Sequence, residues 1–514
     1  MKKLTYLLHG LLFAAGSAVI IYVTKSDSII FIPPSDILYP IIFSVVVFLL
    51  FVLIGYLLAR SLEVAGLMAS FLVLGFFYIW PVFVGILLIT LICLLLIRII
   101  FKRVGFGNIT LTLNAISIVV VCYYLFQFIS LIVVLPWASY QTTTQPIRDI
   151  PGSLSSMKAT PDIYYIILDG YGRADMLLAV HSFNNSAFLE ALEQRGFTVA
   201  SRSQANYTRT LLSLSSSLNM QYLDTMSSMM GDSYLWWPVA GTLQHSEVRK
   251  ILQDWGYKTV FFASGWDYTD IRDGDYYEAP YPVMLKNFEN PFLNFTNLSI
   301  LRGIDRLGIA WPSYDTHRQI ILYSFNMLPE VAAIPGPKFV FAHIVAPHPP
   351  YVFDRTGNPV YPDYPYSLVD PYKLRGDILE SRNSYLDQLM FINQEILTTI
   401  DGIRANSNIP PIIILQADHG PGIFFDYNSI ENSCLYERFS ILNAYYLPGV
   451  ERNSVPMDLS PVNSFRFIFN QYFQTKLEIL PNRLYFSTNV NYYQFTDVTG
   501  QTQSTCKTNS DGLP

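Results

Sequence analysis

Five long apolar segments occupy the first quarter of this 514-residue chain. An α-helix rises about 1.5 Å per residue, so about 20 apolar residues are enough to cross the hydrocarbon core of a bilayer. The segments are close to that length: Leu4–Thr24, Tyr39–Leu58, Val64–Trp80, Val82–Phe101 and Ile109–Leu135. The sequence therefore predicts an integral membrane protein with an N-terminal five-helix transmembrane domain over residues 1–137.

Basic residues around these segments predict the orientation of the chain. If the segments alternate in direction, Lys25 lies on one side of the membrane, and all the other flanking basic residues lie on the opposite side: Lys2, Lys3, Arg60, Arg98, Lys102 and Arg103. The basic side faces the cytoplasm. An odd number of spans then places the rest of the chain outside, so we expect a multi-pass protein of the cell membrane with an extracytoplasmic domain.

The segments contain almost no ionisable residue away from their ends, which argues against transport as their role, because transport and proton relay generally use such groups. His9 is the exception. Since it lies near the end of the first segment, we interpret it as an interfacial residue.

Beyond the apolar segments the composition is that of a globular protein. Residues 138–160 are polar and lack periodicity, as in a linker; residues 161–490 have the pattern of a folded catalytic domain; residues 491–514 form a C-terminal tail. The net charge is −6 and no long run of Lys or Arg occurs, so no nucleic-acid partner is expected. Cys434 and Cys506 could form a disulfide in an oxidising compartment.

Short apolar runs alternate with amphipathic stretches in residues 161–490. The runs predict strands at Ile163–Leu168, Gly196–Ala200, Thr259–Ala263, Phe339–His343, Ile412–Gln416 and Ser440–Leu447. The amphipathic stretches predict helices that include Ser186–Arg195, Ser246–Trp255 and Ser384–Arg404. Alternating strands and helices indicate an α/β fold with a mainly parallel sheet.

Acids and histidines stand where several predicted strands end: Asp169, His343, His348, Asp418 and His419. Ligands of open parallel sheets bind beyond the carboxyl ends of the strands. Each residue alone could belong to an ordinary turn. Together, two carboxylates and an imidazole suit a divalent cation such as zinc or manganese. The other histidines of this part, His181, His245 and His317, lie in polar stretches, and we expect them at the surface.

A hydroxyl-rich segment, Asn206–Met220, follows the first predicted strand and could begin a helix. A hydroxyl at a helix N-terminus lies where backbone N–H groups and the helix dipole favour an anion. A nearby metal ion would lower its pKa and make it a nucleophile. The alternative is an ordinary Ser/Thr-rich helix start.

These motifs follow one another as an Asp-Gly pair, a Thr-containing segment, a His-x4-His-Pro motif and an Asp-His-Gly motif. This order resembles the alkaline phosphatase/sulfatase superfamily, and most of all its membrane-bound branch of lipoteichoic acid synthases and phosphoethanolamine transferases. Proteins of that branch commonly have five spans followed by an extracytoplasmic domain. The resemblance covers nearly the whole chain and implies an α/β/α domain of alkaline phosphatase type.

The resemblance also implies roles for individual residues. One divalent metal ion, zinc or manganese, would be ligated by Asp169, Thr210, Asp418 and His419. Thr210 would be the nucleophile that becomes covalently substituted. His348, and with it His343, would hold phosphate oxygens of the substrate or protonate the leaving group.

The family pattern favours Thr210 over Thr208 as the nucleophile. In the family the nucleophile lies ten residues before a Gly that closes the helical segment, often with a Ser three residues after it. Ser213 fits this spacing, but Met220 stands at the Gly position. Thr208 therefore stays open as an alternative.

Two absences narrow the implied chemistry. Sulfatases carry Cys or Ser in a Cys-x-Pro-x-Arg type motif, which the segment around Thr210 lacks. In phosphoethanolamine transferases that act on lipid A, a Glu and a further His follow Asp-His-Gly, whereas here Pro421 follows and no histidine occurs after His419. Phosphoryl chemistry is therefore favoured over sulfate-ester hydrolysis, and a lipid A substrate is not indicated.

We predict a membrane-anchored, metal-dependent phosphotransferase or phosphodiester hydrolase. It would act on a membrane lipid or a lipid-linked cell-envelope substrate through a phospho-threonine intermediate. One alternative is a sulfuric ester hydrolase of the sulfatase family. Another is a non-catalytic envelope regulator or lipid sensor with the same fold. The sequence indicates no particular protein partner.

Overall fold

The structure is a computed structural model, and it describes residues 5–24, 37–78, 107–133, 160–232, 236–266, 268–281, 283–284, 309–310, 313–364, 366–368, 377–502 and 506. The chain forms two compact units. The first comprises residues 1–138 and 283–311, and the second comprises residues 139–282 and 312–514.

Long apolar helices form most of the described part of the first unit. They are α1 Leu8–Thr24, α2 Leu38–Ala59, α3 Leu62–Tyr78 and α4 Gly107–Val133. Two short strands, Val283–Met284 and Ile309–Ala310, pair in parallel in the same unit. Large apolar side chains such as Leu111 and Phe126 are exposed on α4, as expected for a helix that faces lipid.

Two of these helices are long and apolar enough to cross a membrane, judged by length and composition. The qualifying stretches are Pro40–Ala59 in α2 and Ile109–Ser130 in α4, whereas the apolar stretches of α1 and α3 are shorter. The predicted segment Val82–Phe101 lies outside the described residues. Two helices therefore support an association with a membrane. The presence of five membrane-spanning helices stays a prediction.

His9 is fully buried inside the first unit rather than exposed at a helix end. Its Nδ1 lies 2.9 Å from Ser70 Oγ, and its backbone N–H donates to Asn114 Oδ1 at 2.9 Å. A Cβ at Gly66 would lie 2.1 Å from the Tyr6 carbonyl oxygen, so glycine is required for this close approach. The polar contacts thus join α1, α3 and α4.

A seven-stranded sheet forms the centre of the second unit. Its strands are β1 Ile163–Leu168, β2 Thr198–Val199, β3 Lys258–Phe262, β4 Tyr276–Glu278, β5 Lys338–Ile344, β6 Ile412–Gln416 and β7 Asn443–Tyr446. The order is β2-β7-β6-β1-β5-β3-β4. The strands from β6 to β4 pair in parallel, whereas β7 and β2 are antiparallel additions at one edge. The mainly parallel sheet is confirmed, and each predicted strand overlaps one of these seven. A separate antiparallel pair is formed by β8 Tyr485–Phe486 and β9 Thr496–Asp497.

Helices cover both faces of the sheet. They are α5 Ala174–His181, α6 Ser186–Gln194, α7 Thr210–Asn219, α8 Asp224–Met230, α9 Trp237–Gln244, α10 Glu247–Asp254, α11 Tyr314–Met327, α12 Ile378–Asn406, α13 Leu435–Phe439 and α14 Pro461–Tyr472, with 3-10 turns at Glu330–Ala333 and Arg452–Ser454. The predicted helices correspond to α6, α10 and α12. The last begins six residues earlier than predicted, because the Asp377 carboxylate caps it by accepting the Glu380 N–H at 2.9 Å.

The alternation of side chains along β1 explains the two-faced packing. Tyr164, Ile166 and Leu168 belong to a core with α5, α6, α11 and α12. The residues between them belong to a second core with α7 to α10 and α14. A strand that is buried on both faces is apolar throughout, which is the pattern that the sequence shows. The second unit is therefore an α/β/α sandwich.

A disulfide joins Cys434 and Cys506, 72 residues apart, which confirms that these cysteines can pair. Cys434 is also the N-cap of α13, where its sulfur accepts the Glu437 N–H at 3.4 Å. The bond therefore ties a C-terminal residue to the start of a short helix.

Asp162 joins the starts of three central strands. Its carboxylate lies 2.7 Å from Nζ of Lys338, whose side chain is almost fully buried, and accepts the Lys338 backbone N–H at 3.1 Å. Its carbonyl accepts the Ile412 N–H at 2.8 Å. Burial raises the pKa of Asp162, although Lys338 opposes that shift.

We expect Asp162→Asn to lower the free energy of unfolding by about 2–3 kcal/mol, because it leaves a buried ammonium group without its counter-charge. A second substitution, Lys338→Met, should recover part of that loss. Thermal unfolding of the purified full chain in detergent checks the order of stability. Equal melting temperatures for the parent, single and double variants would contradict the expectation.

Candidate functional site

Three neighbouring strands deliver polar side chains to one edge of the sheet. Asp169 follows β1 directly, His343 lies near the end of β5, and Asp418 follows β6 after Ala417. The strands run in register, with Ile167 of β1 opposite both His343 and Gln416. Because parallel strands end at the same edge, residues far apart along the chain meet there.

The imidazole of His419 is the centre of this arrangement. Its Nε2 lies 3.0 Å from Thr210 Oγ1, 3.2 Å from Asp418 Oδ2 and 3.8 Å from Asp169 Oδ1. All four side chains are buried. The structure therefore brings together the four residues for which the sequence predicts metal ligation.

Two carboxylate oxygens at this edge, Asp169 Oδ1 and Asp418 Oδ2, are buried and have no hydrogen-bond partner among the described residues. Leaving a buried carboxylate oxygen unsatisfied is costly unless a cation or donor meets it. One ligand atom each from Asp169, Asp418 and His419 lies within 4.8 Å of the others. This donor set of two carboxylates, an imidazole and a hydroxyl fits a divalent metal ion.

The electrostatics of the site show how strongly the two acids interact. Burial alone would raise the pKa of Asp169, but the imidazoles of His348 and His343 hold it below its usual range. Burial, and then the charge of Asp169, raise the pKa of Asp418 to about 6. A bound cation would relieve this repulsion.

His419 is oriented to present a lone pair. Burial lowers its pKa well below the usual value, and nearby Arg438 adds to this, so the ring is neutral. Nδ1 lies 3.0 Å from the Gly420 carbonyl oxygen, which can only accept a hydrogen bond. Nδ1 therefore carries the proton, and Nε2 faces the Thr210 hydroxyl as an acceptor or metal ligand.

Thr210 is the first residue of α7. The helix begins with the Ser213 N–H donating to the Arg209 carbonyl at 2.8 Å. The Ser213 hydroxyl donates to the Asp418 carbonyl at 2.6 Å, which fixes the helix start against the end of β6. By contrast, the buried Thr208 hydroxyl has no hydrogen-bond partner within the described ranges. The geometry thus favours Thr210 over Thr208.

Met220 ends α7 in the left-handed conformation, with φ +55°. Glycine is favoured in this conformation, which is consistent with the Gly that the family resemblance places at this position. In this chain the Met220 side chain is fully buried, and its carbonyl accepts the Arg466 Nε–H at 2.6 Å. Burial of the thioether and this hydrogen bond offset the backbone strain.

The two histidines of the His-x4-His-Pro motif differ in position. His343 lies behind Asp169, with Nε2 3.1 Å from Asp169 Oδ2 and Nδ1 2.8 Å from Thr269 Oγ1. His348 lines a narrow cleft, with its backbone N–H donating to the Asp169 carbonyl at 3.0 Å. The cleft is also lined by Gly170, Tyr351, Tyr385, His419 and Arg438.

The expected surface positions of His181 and His317 are wrong. Both are buried, His181 beside the Glu437 carboxylate at 3.0 Å, and His317 on α11. Burial, and then the charge of His348, lower the pKa of His317 to about 3. The polar residues next to these two histidines in the sequence indicated surface positions, but in the fold both side chains face inward. His245 is half exposed, as expected.

Arg438, which the sequence analysis did not predict, holds the backbone around the site in place. Its Nε donates to the Thr208 carbonyl at 2.8 Å, and a terminal nitrogen donates to the Gly420 carbonyl at 3.1 Å. One guanidinium thus links the segment before Thr210 to the Asp-His-Gly motif. No motif marked this arginine, because it comes from a short helix that has no strand before it.

The sandwich and the composition of its edge define a hydrolase or transferase domain of the alkaline phosphatase type. A family model described as Sulfatase matches residues 161–449, more than half of the chain. The chain therefore belongs to the sulfatase family, within the alkaline phosphatase/sulfatase superfamily that its motifs resemble.

Several solved structures are similar in fold. The C-terminal periplasmic domain of EcEptC from Escherichia coli in complex with Zn is 13% identical, with a TM-score of 0.44, over 67% of this chain and 94% of that one. The corresponding domain of the phosphoethanolamine transferase EptC from Campylobacter jejuni is 12% identical, with a TM-score of 0.38, over 63% and 92%. BT1596, a 2-O GAG sulfatase, is 11% identical, with a TM-score of 0.39, over 62% and 72%. A comparison with curated proteins finds no match.

We expect Asp169→Asn and Asp418→Asn to abolish stabilisation by metal. In the parent protein, a cation at 100 times its Kd should stabilise the fold by about 2.7 kcal/mol. Both substitutions should remove the increase in melting temperature with Zn²⁺ or Mn²⁺. Without added metal, Asp418→Asn should hold or raise the melting temperature, because the pKa of Asp418 is raised, whereas Asp169→Asn should lower it, because the neighbouring histidines that hold down the pKa of Asp169 lose their partner. His348→Gln is the control that should keep the increase. Full metal-induced stabilisation in both Asn variants would contradict the site.

Gly420→Ala should distort the site through the backbone. The added Cβ would lie 2.0 Å from the Glu437 carbonyl oxygen and 3.0 Å from that of Ser440, so the neighbouring His419 must move. Displacing a catalytic group by about 1 Å costs on the order of 100-fold in rate. Gly449→Ala, at a position with open space and φ +81°, should cost about 1 kcal/mol of stability without that loss. Phosphodiesterase rates of the two variants test the difference, and equal rates would refute it.

Proposed function

We propose that this protein is a membrane-anchored phosphotransferase or phosphodiester hydrolase that forms a phospho-threonine intermediate at Thr210. The observation that carries the proposal is the position of the Thr210 hydroxyl, 3.0 Å from His419 Nε2 at the first residue of α7. The sulfatase-family domain implies a hydrolase or a transferase. A threonine at the nucleophile position directs this chain towards phosphoryl groups, because it cannot be converted to formylglycine.

The metal ligands in this proposal are Asp169, Thr210, Asp418 and His419, with zinc or manganese as the ion. A divalent cation bound there supplies positive charge that lowers the pKa of the adjacent hydroxyl and stabilises negative charge on the phosphoryl group. The protein holds the hydroxyl in place through α7 and the Ser213 contact to Asp418.

The start of α7 provides the electrostatic setting for attack. Backbone N–H groups of a first helical turn have no partner within the helix, and the dipole is positive there. Anionic oxygens of a phosphodiester are therefore stabilised beside Thr210 Oγ1. The Thr210 hydroxyl loses its proton to solvent when a cation binds beside it. As the bond from Thr210 Oγ1 to phosphorus forms, the ester bond to the leaving alcohol breaks in line with it, and in the second step the acceptor oxygen bonds to phosphorus as the bond from Thr210 Oγ1 breaks.

His348 is the proposed proton donor, because it is the histidine outside the ligand set that lines the cleft. Its imidazole gives a proton to the departing alcohol oxygen and takes one from the acceptor hydroxyl, or from water, in the second step. His343 is a positioning residue, since its nitrogens contact Asp169 and Thr269. It keeps the Asp169 carboxylate ionised and correctly oriented.

The membrane anchor supports a lipid or a lipid-linked envelope substrate. We assign residues 1–137 to a five-helix transmembrane domain, residues 138–160 to a linker, residues 161–490 to the extracytoplasmic catalytic domain and residues 491–514 to a tail. The Cys434–Cys506 disulfide supports an extracytoplasmic position, because disulfides persist in oxidising compartments.

Sulfate-ester hydrolysis is a second candidate, favoured by membership of the sulfatase family. Parallel assays of purified protein with p-nitrophenyl sulfate and bis(p-nitrophenyl) phosphate distinguish the two activities. We expect turnover of the phosphodiester, and turnover of the sulfate ester alone would replace the proposal.

We expect Thr210→Ala to lower the rate by at least about 1,000-fold, in line with the loss of a nucleophile that acts together with its partners. Thr210→Ser should retain part of the activity. Thr208→Ala, a matched change two residues away, should stay within about threefold. Mass spectrometry after incubation with envelope lipids should find the covalent phosphoryl adduct on Thr210. An adduct on Thr208, or full activity of Thr210→Ala, would overturn the assignment.

A further inference from the structure

Arg209, immediately before the proposed nucleophile, has an unusual environment for a cation. Its guanidinium lies over two aromatic rings, 4.8 Å from the centroid of Tyr427 and 5.1 Å from that of Tyr492. Both tyrosines, and Arg209 itself, are partly exposed. The rings fix the plane of the guanidinium, so its N–H groups point in defined directions.

The hydrogen-bonding capacity of Arg209 is largely unused. One terminal nitrogen donates to the Ser487 carbonyl at 3.3 Å. The Nε atom is buried and has no hydrogen-bond partner among the described residues. No carboxylate lies within 4.0 Å of this guanidinium in the part of the chain that the structure covers. A guanidinium has five N–H donors, so an arginine held in this way presents positive charge to a ligand.

Tyr427 connects Arg209 to the cleft. Arg438, which lines the cleft beside His348 and His419, donates to the Tyr427 hydroxyl at 3.0 Å. Both guanidinium groups therefore contact the Tyr427 ring. Burial lowers the pKa of Arg209, and the positive charge of Arg438 lowers it further. Such a pair of cations is stabilised when an anion binds next to it.

The backbone connects Arg209 to the proposed nucleophile, because Arg209 directly precedes Thr210, the first residue of α7. Arg438, whose guanidinium lies 5.5 Å from the centroid of Tyr427, also donates to the Thr208 carbonyl at 2.8 Å. Both guanidinium groups are thus tied to the segment that carries Thr210.

We propose that Arg209 is a specificity-determining residue that selects phosphodiesters whose non-reacting alcohol carries a second negative charge. This inference rests on the proposed function, since it concerns the substrate of the same site. The recognised group is a phosphate or a carboxylate, which a planar guanidinium binds with two parallel hydrogen bonds. A cationic head group such as a quaternary amine is disfavoured, because it would meet positive charge.

The test uses three p-nitrophenyl phosphodiesters that share one leaving group. Their second alcohols are 3-hydroxypropionate, its neutral amide 3-hydroxypropanamide, and choline. For the parent full chain we expect kcat/KM to be about tenfold higher for the carboxylate ester than for the amide, the size of one charge-assisted hydrogen bond, and lowest for the choline ester.

Variants at Arg209 separate charge recognition from packing. Arg209→Met keeps length and apolar contact with the tyrosines but removes the charge, so the carboxylate-to-amide ratio should fall to within about twofold of one. Arg209→Lys should keep part of the preference, and Arg209→Glu should reverse it. Arg202→Met removes the same charge from an exposed site and should leave the ratio unchanged.

The outcomes are distinct. If Arg209→Met lowers kcat/KM equally for all three esters, the arginine acts on the reacting phosphoryl group or on folding, and the inference is overturned. If the parent protein turns over none of the esters, the proposed function fails. Thermal-shift binding of the non-hydrolysable phosphonate analogues then still decides the inference. Equal binding of all three analogues would refute it.

Discussion

Asp169 and Asp418 place two carboxylates at the ends of adjacent parallel strands, in a region closed to water. One ligand oxygen of each acid lies within 4.8 Å of the other, where like charges repel strongly in a low-dielectric interior. Within the described part of the chain, each acid keeps one oxygen without a hydrogen-bond partner. Three neighbouring histidines interact with these two carboxylates. His343 and His348 stabilise the Asp169 carboxylate, and the neutral ring of His419 faces both acids. This edge of the sheet therefore favours the binding of a cation. The arrangement of the rest of the site depends on the charge of the two acids.

Hydrogen bonds to backbone carbonyls around the site hold these side chains in position. Ser213 joins the start of α7 to the Asp418 carbonyl, and Arg438 joins the Thr208 carbonyl to that of Gly420. Arg438 is itself carried by α13, whose first turn is tied to the C-terminal region by the disulfide at Cys434. Thr210, the proposed ligands and Cys506 thus belong to one connected framework, which favours a precise geometry at a bound metal ion.

The strand-end residues could be predicted because fully buried parallel strands read as continuous apolar runs, so Asp169 and Asp418 mark where each run stops. The family resemblance, rather than the spacing of the residues, predicted which of them is the nucleophile and which are metal ligands. Arg438 and Arg209 could not be predicted, since their partners are backbone carbonyls and rings that the fold alone brings together. His181 and His317 were misassigned because a polar local sequence says nothing about which helix face turns inward.

The second unit contains a buried group of proposed metal ligands and, beside it, a partly exposed group around Arg209. The proposed ligands and nucleophile, Asp169, Thr210, Asp418 and His419, are buried and lie against one another. Arg209, Tyr427 and Tyr492 are partly exposed and lie beside that centre without belonging to it. Changes in charge among these outer residues can alter the preferred substrate without disturbing the ligands. If Arg209 reads substrate charge as proposed, proteins of this fold can differ in the head group they accept while the same buried residues hold the metal.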